Sequence, residues 1–198
     1  MVRLRLQSLI ERLDALAPAD ITVPRVQQIL ADGELDDAEL KRFVGVLPDK
    51  YARRPVHRSR HFDILVLTWA PGQQTPIHNH AGNCGWVRLV RGQIAEETFQ
   101  LVPGASLADA AVAANCQGRT GNVGLQRTGE GVIATVGAVA TVDRTRAIHR
   151  LGNPAQPGGD VTATLHVYSL PHDRCLAFDL ASRTCEPRQM TFDPLPVG

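Results

Sequence analysis

Gly72 to Gly92 reads GQQTPIHNHAGNCGWVRLVRG, with His78-Asn79-His80 at its centre. Side chains two apart in a strand share a face, so an extended segment aims both imidazoles at one point. Imidazole is the commonest protein ligand for a transition metal. Gly72 and Gly92 bracket the segment as turn residues, one before the strand pair and one after it. A bare His-x-His is more often a surface or core pair than a metal site. The bracketing glycines, and the partners found downstream, favour the metal.

The rest of the chain bounds what such a site could belong to. A chain of 198 residues is most simply one domain. Residues 1–50 are expected to form a helical segment packed on a β-barrel made by 51–198. An apolar content of 43% is enough for a core. Lys plus Arg is 21 and Asp plus Glu 20, which gives no electrostatic case for nucleic acid or an acidic membrane surface. No apolar run approaches the roughly 20 residues of a membrane span. The N-terminal MVRLRLQSLIERL mixes charges through its apolar positions, unlike a signal peptide. Cys84, Cys116, Cys175 and Cys185 form no C-x-x-C pair and no tight framework. They read as reduced thiols of a cytoplasmic protein.

The apolar periodicity changes once along the chain. Leu6, Leu9, Ile10, Leu13 and Leu16 recur at helical spacing up to Pro18. Val23, Val26, Ile29 and Leu30 indicate a second helix, closed by Gly33. Asp36 with Glu39 resembles a capping box, and Leu35 with Leu40 a hydrophobic staple. A third short helix should bury Leu40, Phe43 and Leu47 and stop at Pro48. From His61 onward the texture is β. HFDILVLTW, WVRLV, IAEETFQLV, GVIATV, VTATLHVYS and CLAFDL read as strands separated by turn residues. Pro103 to Gly131, rich in Ala and Gly, reads mostly as a long loop with one strand inside it. The pattern predicts an antiparallel sandwich or barrel.

Three further stretches carry chemistry. His149 stands in AIHRLGN between apolar residues, and a lone histidine there is usually structural. In 161–169 one row (Val161, Ala163, Leu165, Val167) is apolar; the other (Thr162, Thr164, His166, Tyr168) is polar without charge. A solvated sheet face usually carries Lys, Glu or Arg, so the uncharged row reads as the wall of a polar cavity. There His166 can orient the phenol of Tyr168. In Tyr51-Ala52-Arg53-Arg54, either guanidinium could pair bidentately with a carboxylate. Adjacent arginines are usually just a solvated surface.

Together these segments resemble a known family. Gly72-x5-His78-x-His80-x4-Gly85-x6-Gly92 is similar to the first cupin motif, and His149-x3-Asn153 to the end of the second. Most cupins place a glutamate ligand where this chain has Cys84 or Gly85. A cupin with three histidines and no glutamate resembles the cysteine dioxygenase family of thiol dioxygenases. Tyr51-Ala52-Arg53, His149-Arg-Leu-Gly-Asn153, Leu165-His-Val-Tyr168-Ser, Phe178-Asp179 and Met190-Thr-Phe192 agree with it.

The resemblance implies an all-β cupin barrel with short N-terminal helices. It implies ferrous iron, Fe(2+), held by His78, His80 and His149, and a small thiol and dioxygen as partners. Arg53, with Tyr51, would take the substrate carboxylate. Tyr168, held by His166 and Thr164, would hydrogen-bond near the bound oxygen or the carboxylate. The reaction would take L-cysteine to cysteine sulfinate, in a protein expected to be monomeric. Arg54, on the outward-facing neighbouring position, is expected to matter little.

The chain departs from that family at two places. Animal members carry a cysteine seven residues after the first ligand, crosslinked to the tyrosine; here that position is Gly85. Cys84 should face away, so no thioether is expected. Members tend to follow the tyrosine with Ser-Pro-Pro and a cis bond. Here it is Ser169-Leu170-Pro171, and a cis bond before a non-proline costs roughly 2.5–4 kcal/mol, so trans is expected.

Other readings remain at this level. A dioxygenase of the same family acting on 3-mercaptopropionate would tend to carry glutamine at Arg53. A non-catalytic metal-binding cupin sensor would bind ligand without turnover. Three histidines also suit a zinc isomerase or lyase.

Overall fold

The computed structural model describes residues 3–80, 83–102, 123–142 and 148–196. Helix α1 (Leu6–Asp14) buries Leu6, Leu9, Ile10 and Leu13 on one face, as the 3.6-residue repeat requires. Helix α2 (Val23–Ala31) begins at Thr22, whose hydroxyl accepts the Arg25 N–H, and buries Val26, Ile29 and Leu30. Helix α3 (Asp37–Lys41) is capped by the Asp36 side chain, which accepts from the Ala38 N–H at 2.9 Å. The reciprocal half of the expected capping box is not made. Glu39 instead accepts the backbone N–H of Leu6 and ties α3 to the start of α1. The third helix is also shorter than its pattern suggested, and Leu47 beyond it is half-buried.

The β strands are β1 (Arg3–Leu4), β2 (Glu34–Leu35), β3 (Ala52–Arg58), β4 (Phe62–Trp69), β5 (Ile77–His78) and β6 (Gly85–Arg91). They continue with β7 (Ile94–Leu101), β8 (Leu125–Ile133), β9 (Val139–Val142), β10 (His149–Gly152), β11 (Thr162–Ser169), β12 (Arg174–Asp179) and β13 (Thr184–Gln189). The pair β1–β2 is parallel. The others form a six-stranded sheet, β13-β12-β5-β10-β7-β8, and a five-stranded sheet, β3-β4-β11-β6-β9. Pairing within both is antiparallel. This is the all-β cupin barrel with short helices before it.

The five-stranded sheet is covered on both sides, which explains why β4 reads as a nearly continuous apolar run. Phe62, Ile64, Val66, Trp86, Leu165 and Val167 pack against α1 and α2. Leu65, Leu67, Trp69, Val87, Leu89 and Tyr168 face the barrel interior. The apolar row of β11 therefore meets the helices, and its polar row looks inward.

Residues 103–122 of the expected loop lie outside the described residues, and Leu125–Gly131 are in strand β8, continuous with the start of the stretch read as GVIATV rather than separate from it. The strand also ends at Ile133 rather than Val136. It occupies a sheet edge and pairs with β7 alone. Main-chain bonds from one neighbour suffice there, and no apolar row is needed. Strands β3, β9, β10 and β13 and the two-residue β5 carry too little alternation to be read from pattern.

Arg54 overturns the expectation of an outward-facing bystander. Its residue is 2% exposed. Its Nε donates to the carbonyl of Pro194 at 2.8 Å, and Nη1 donates to those of Phe43 (3.1 Å) and Gly45 (2.5 Å). The chain after α3 leaves the helix to offer these carbonyls. Alternation along β3 sends Arg53 and Arg54 to opposite faces, and the outer face is covered by the N-terminal segment and the C-terminal tail. Arg54→Ala should strand the buried Phe43 carbonyl and two part-buried ones, and cost roughly 3 kcal/mol in all. Thermal unfolding should read this as a Tm lower by about 6 °C or more; an unchanged Tm would contradict it.

Candidate metal centre

His78 closes the short β5, His80 follows two residues later, and His149 opens β10. The register pairs His149 with His78 across β10 and β5, so two of the imidazoles are neighbours through main-chain pairing. Ring centroids lie 5.3 Å (His78–His80), 4.9 Å (His78–His149) and 4.8 Å (His80–His149) apart. One ring nitrogen from each lies within 4.8 Å of the others. Among the described residues this is the one cluster of three His, Cys, Asp or Glu side chains able to hold a metal ion.

The outer nitrogens fix which atoms face inward. Nδ1 of His78 donates to the Pro76 carbonyl at 3.0 Å. Nδ1 of His149 donates to Glu96 Oε1 at 2.6 Å. Their Nε2 atoms are left for a metal, and Nε2 of His80 approaches Nε2 of His149 at 2.9 Å. Burial first, and then the charge of His149, pushes His78 down to about 3. The same causes hold His80 well below its ordinary value. Both are therefore neutral, ligand-ready imidazoles at ordinary pH. The donor set fits a transition metal bound through nitrogen with no carboxylate in the set. Glu96 serves instead as the outer partner that orients His149, a role metal-ligating histidines usually require.

Beside the imidazoles runs one hydrogen-bond chain. Trp69 Nε1 donates to Thr164 Oγ1 at 3.0 Å, Thr164 Oγ1 meets His166 Nε2 at 2.9 Å, and His166 Nδ1 meets the Tyr168 hydroxyl at 3.0 Å. Indole can only donate. The arrangement that uses every donor then runs one way. Thr164 donates to His166 Nε2, His166 donates from Nδ1 to the Tyr168 oxygen, and the phenolic proton is free to point into the site. Burial keeps His166 well below its usual value, and hence neutral. Burial also pushes Tyr168 up to about 12, against the pull of Arg53, so Tyr168 remains a donor.

Arg53, on β3, holds its backbone with an N–H to Asp193 Oδ2 at 2.8 Å, and Nη2 reaches Met190 Sδ at 3.6 Å. Its Nε is buried with no hydrogen-bond partner. No carboxylate of the described residues lies within ion-pair range of the guanidinium. Burial opposes its charge, but the phenols of Tyr168 and Tyr51 outweigh that and hold it above the ordinary value. Tyr51 stacks on Trp69 with ring centres 4.6 Å apart. Arg53, Tyr51 and His78 line one cavity of about 610 Å³, joined by Cys175 and Met190. Burial pushes the Cys175 thiol up, so it stays protonated beside the imidazoles.

Gly85 and Cys84 bear out the expected departure in geometry. Gly85 lies opposite Tyr168 in the β6–β11 register. A Cβ there would come within 2.9 Å of the His80 ring, so a side chain at this position would require that ring to shift. Cys84 packs with the helix-side cluster and Tyr168 with the interior cluster. Peptide mass mapping should find no Cys84–Tyr168 thioether; a joined peptide would show this face assignment to be wrong. No cis peptide bond occurs among the described residues, and Leu170 takes φ +63° instead. The turn after Tyr168 thus places a leucine in the left-handed region, at a cost of roughly 1–2 kcal/mol.

Four residues near the site carry no legible pattern in sequence. Trp69 and Glu96 sit in ordinary strand runs. Asp63 lies opposite Tyr168 in register and is 2% exposed, with Oδ1 unpartnered; burial raises its carboxyl. His172 follows the strained turn, its ring edge-on to Tyr168 at 5.3 Å and tilted 6.5 Å from His80. Burial lowers it, although the Leu170 carbonyl favours its charged form.

Imidazoles gathered with no carboxylate among them, in a barrel of this topology, define a metal-binding cupin. Residues 4–181 match the family described as cysteine dioxygenase type I. The chain belongs to that family and is a thiol dioxygenase. It is 24% identical to cysteine dioxygenase type 1 of Danio rerio over 189 residues, covering 94% of this chain and 85% of that protein. Against the enzyme of Rattus norvegicus it is 24% identical over 180 residues, covering 90% and 80%. Similar solved structures include a protein of Thermus thermophilus, at 20% identity and TM-score 0.44, covering 66% of this chain and 93% of that one. Another is a Klebsiella pneumoniae protein with a double-stranded β-helix domain, at 14% identity and TM-score 0.42, covering 66% and 81%.

Proposed function

We propose that the protein is an iron-dependent cysteine dioxygenase that converts L-cysteine and O2 to cysteine sulfinate. One observation carries this reading: Arg53, a guanidinium with no carboxylate partner among the described residues, lines the same cavity as His78 of a carboxylate-free imidazole cluster. His78, His80 and His149 hold ferrous iron. Bound there, iron supplies the dioxygen chemistry and a soft, positively charged seat for a thiolate.

Each remaining role belongs to a side chain. Arg53, with Tyr51, takes the substrate carboxylate through a charge-assisted bidentate pair. That pair fixes the distance from carboxylate to sulfur and so selects a short amino-acid thiol. Tyr168 would donate a hydrogen bond from its hydroxyl to the substrate carboxylate or to dioxygen in the site, and stays protonated. Thr164 and His166 hold that phenol in place. Tyr51 is held by its stack on Trp69. Both atoms of dioxygen end on sulfur; the S–H proton is released, and sulfur alone is oxidised, so no outside reductant is needed. The protein acts as a monomer in a reducing cytoplasm, in keeping with Cys84, Cys175 and Cys185, all free thiols.

Oxygen-electrode assays of the iron-loaded protein with three thiols test the reading. Cysteine should exceed 3-mercaptopropionate, and both should exceed cysteamine, which lacks a carboxylate. A preference for 3-mercaptopropionate would move the assignment to that substrate. A preference for cysteamine would remove the carboxylate clamp. No oxygen uptake with any thiol would leave a binding protein only.

A further inference from the structure

The chain just after β13 is bonded to the fold on both sides of the Met190 side chain. The Met190 N–H donates to the Asp173 carbonyl at 2.8 Å. Three residues on, the Asp193 N–H donates to the Arg53 carbonyl at 2.7 Å, and Asp193 Oδ2 accepts the Arg53 N–H at 2.8 Å. These bonds hold a thioether against the side chain of the same arginine: Nη2 of Arg53 donates to Met190 Sδ at 3.6 Å. Thioether sulfur is only a weak acceptor. A substrate carboxylate that takes the guanidinium replaces this weak contact with a strong one.

Met190 is half-buried and lines the same cavity as Arg53, together with Cys175. The two sulfur side chains differ in reactivity. A thiol reacts with oxidants as its thiolate, and burial keeps Cys175 protonated. A thioether has no proton to lose and goes directly to the sulfoxide. That change puts a polar oxygen on the sulfur that already meets the guanidinium. Such an oxygen needs about 2.9 Å to Nη2, which an unbranched, flexible methionine can give without moving its backbone. The chain has two methionines, and the other is Met1.

We propose that Met190 is an oxidation site that controls substrate binding: its sulfoxide oxygen accepts from Nη2 of Arg53 and occupies the seat of the substrate carboxylate. The oxidant is hydrogen peroxide. The Sδ lone pair attacks one peroxide oxygen, the O–O bond breaks and an S–O bond forms. Sulfur loses two electrons, and the peroxide leaves as one water. The sulfoxide is reversible by methionine sulfoxide reductases, so the contact works as a switch. This rests on the reading of Arg53 as the carboxylate clamp.

Peroxide treatment of the iron-loaded protein tests the proposal. Catalase removes the peroxide afterwards, and ascorbate returns the iron to the ferrous state. Peptide mass mapping should find one added oxygen on the peptide that holds Met190. The KM for cysteine should rise about 10- to 100-fold, the weight of a hydrogen bond to a charged group, with kcat changed far less. The two sulfoxide reductases, one for each epimer, should restore the KM. Met190→Gln, which brings an amide oxygen to the same place, should show the raised KM without peroxide. Peroxide should not move the KM of Met190→Leu. In Arg53→Ala, oxidation of Met190 should change kcat/KM little further. An unoxidised Met190, an unchanged KM with Met190 fully oxidised, or an equal loss on oxidation in Arg53→Ala would overturn the proposal while leaving the clamp intact. If Arg53→Ala is itself as active on cysteine as the wild type, the clamp falls and the proposal with it. Should the Met190 variants fail to fold, the reductase-reversible KM of the wild type decides the matter.

Discussion

Arg53→Ala should depress kcat/KM for cysteine by roughly one and a half to three and a half decades. Truncating one member of a buried charge pair costs roughly 2–5 kcal/mol, at about 1.4 kcal/mol per tenfold. The effect should be that large because no carboxylate of the described residues pairs with the guanidinium. Its Nε is buried and unpartnered, and its polar neighbours include the hydroxyls of Tyr168 and Tyr51 rather than a carboxylate. A substrate carboxylate would give it the ion pair that no carboxylate of the described residues makes with it. Arg53→Lys should recover only part of the loss, because an ammonium is a point charge without the planar fork. Turnover of cysteamine, which offers no carboxylate, should hardly change in either variant. An Arg53→Ala enzyme as active on cysteine as the wild type would contradict the clamp.

His149→Ala should reduce bound iron by more than the roughly 10- to 100-fold expected for losing an outer-shell partner. His149 is central to the cluster: its Nε2 meets that of His80, its backbone pairs with His78, and its Nδ1 is held by Glu96. Removing it breaks the donor set and leaves Glu96 without its partner. Glu96→Gln keeps an acceptor at that position and should bind iron far better than His149→Ala. Metal analysis after dialysis reads both, with far-ultraviolet circular dichroism to show that the sheets survive. Full iron and full turnover in His149→Ala would exclude it as a ligand.

Much of this architecture was legible in the chain because the physics was local. The spacing of Leu6, Leu9, Ile10 and Leu13 marks a helix face without knowledge of what covers it. The uncharged row Thr164, His166, Tyr168 marks a cavity wall, because a solvated strand would carry charge. Gly72 and Gly92 both take positive φ, +79° and +75°, as turn residues flanking His78 and His80 should. What could not be read depended on long-range pairing. Strand β10 is four residues long, and only its register with β5 brings His149 beside His78. Arg54 reads as a surface cation; its burial follows from carbonyls of Phe43, Gly45 and Pro194 that converge only in the fold. Glu96 alternates like any strand carboxylate, and its bond to His149 needs the β7–β10 pairing. The helix after Asp36 ends at Lys41, and the carbonyls of Phe43 and Gly45 beyond it are taken by Arg54 from β3, a partner far away in sequence.

Isotope tracing of the product tests the central claim most directly. Iron-loaded protein given L-cysteine under 18O2 should form cysteine sulfinate in which both sulfinate oxygens carry the label, one O2 consumed per product molecule. Sulfinate with one labelled oxygen, or cystine as the product of oxygen uptake, would contradict dioxygenation at this site.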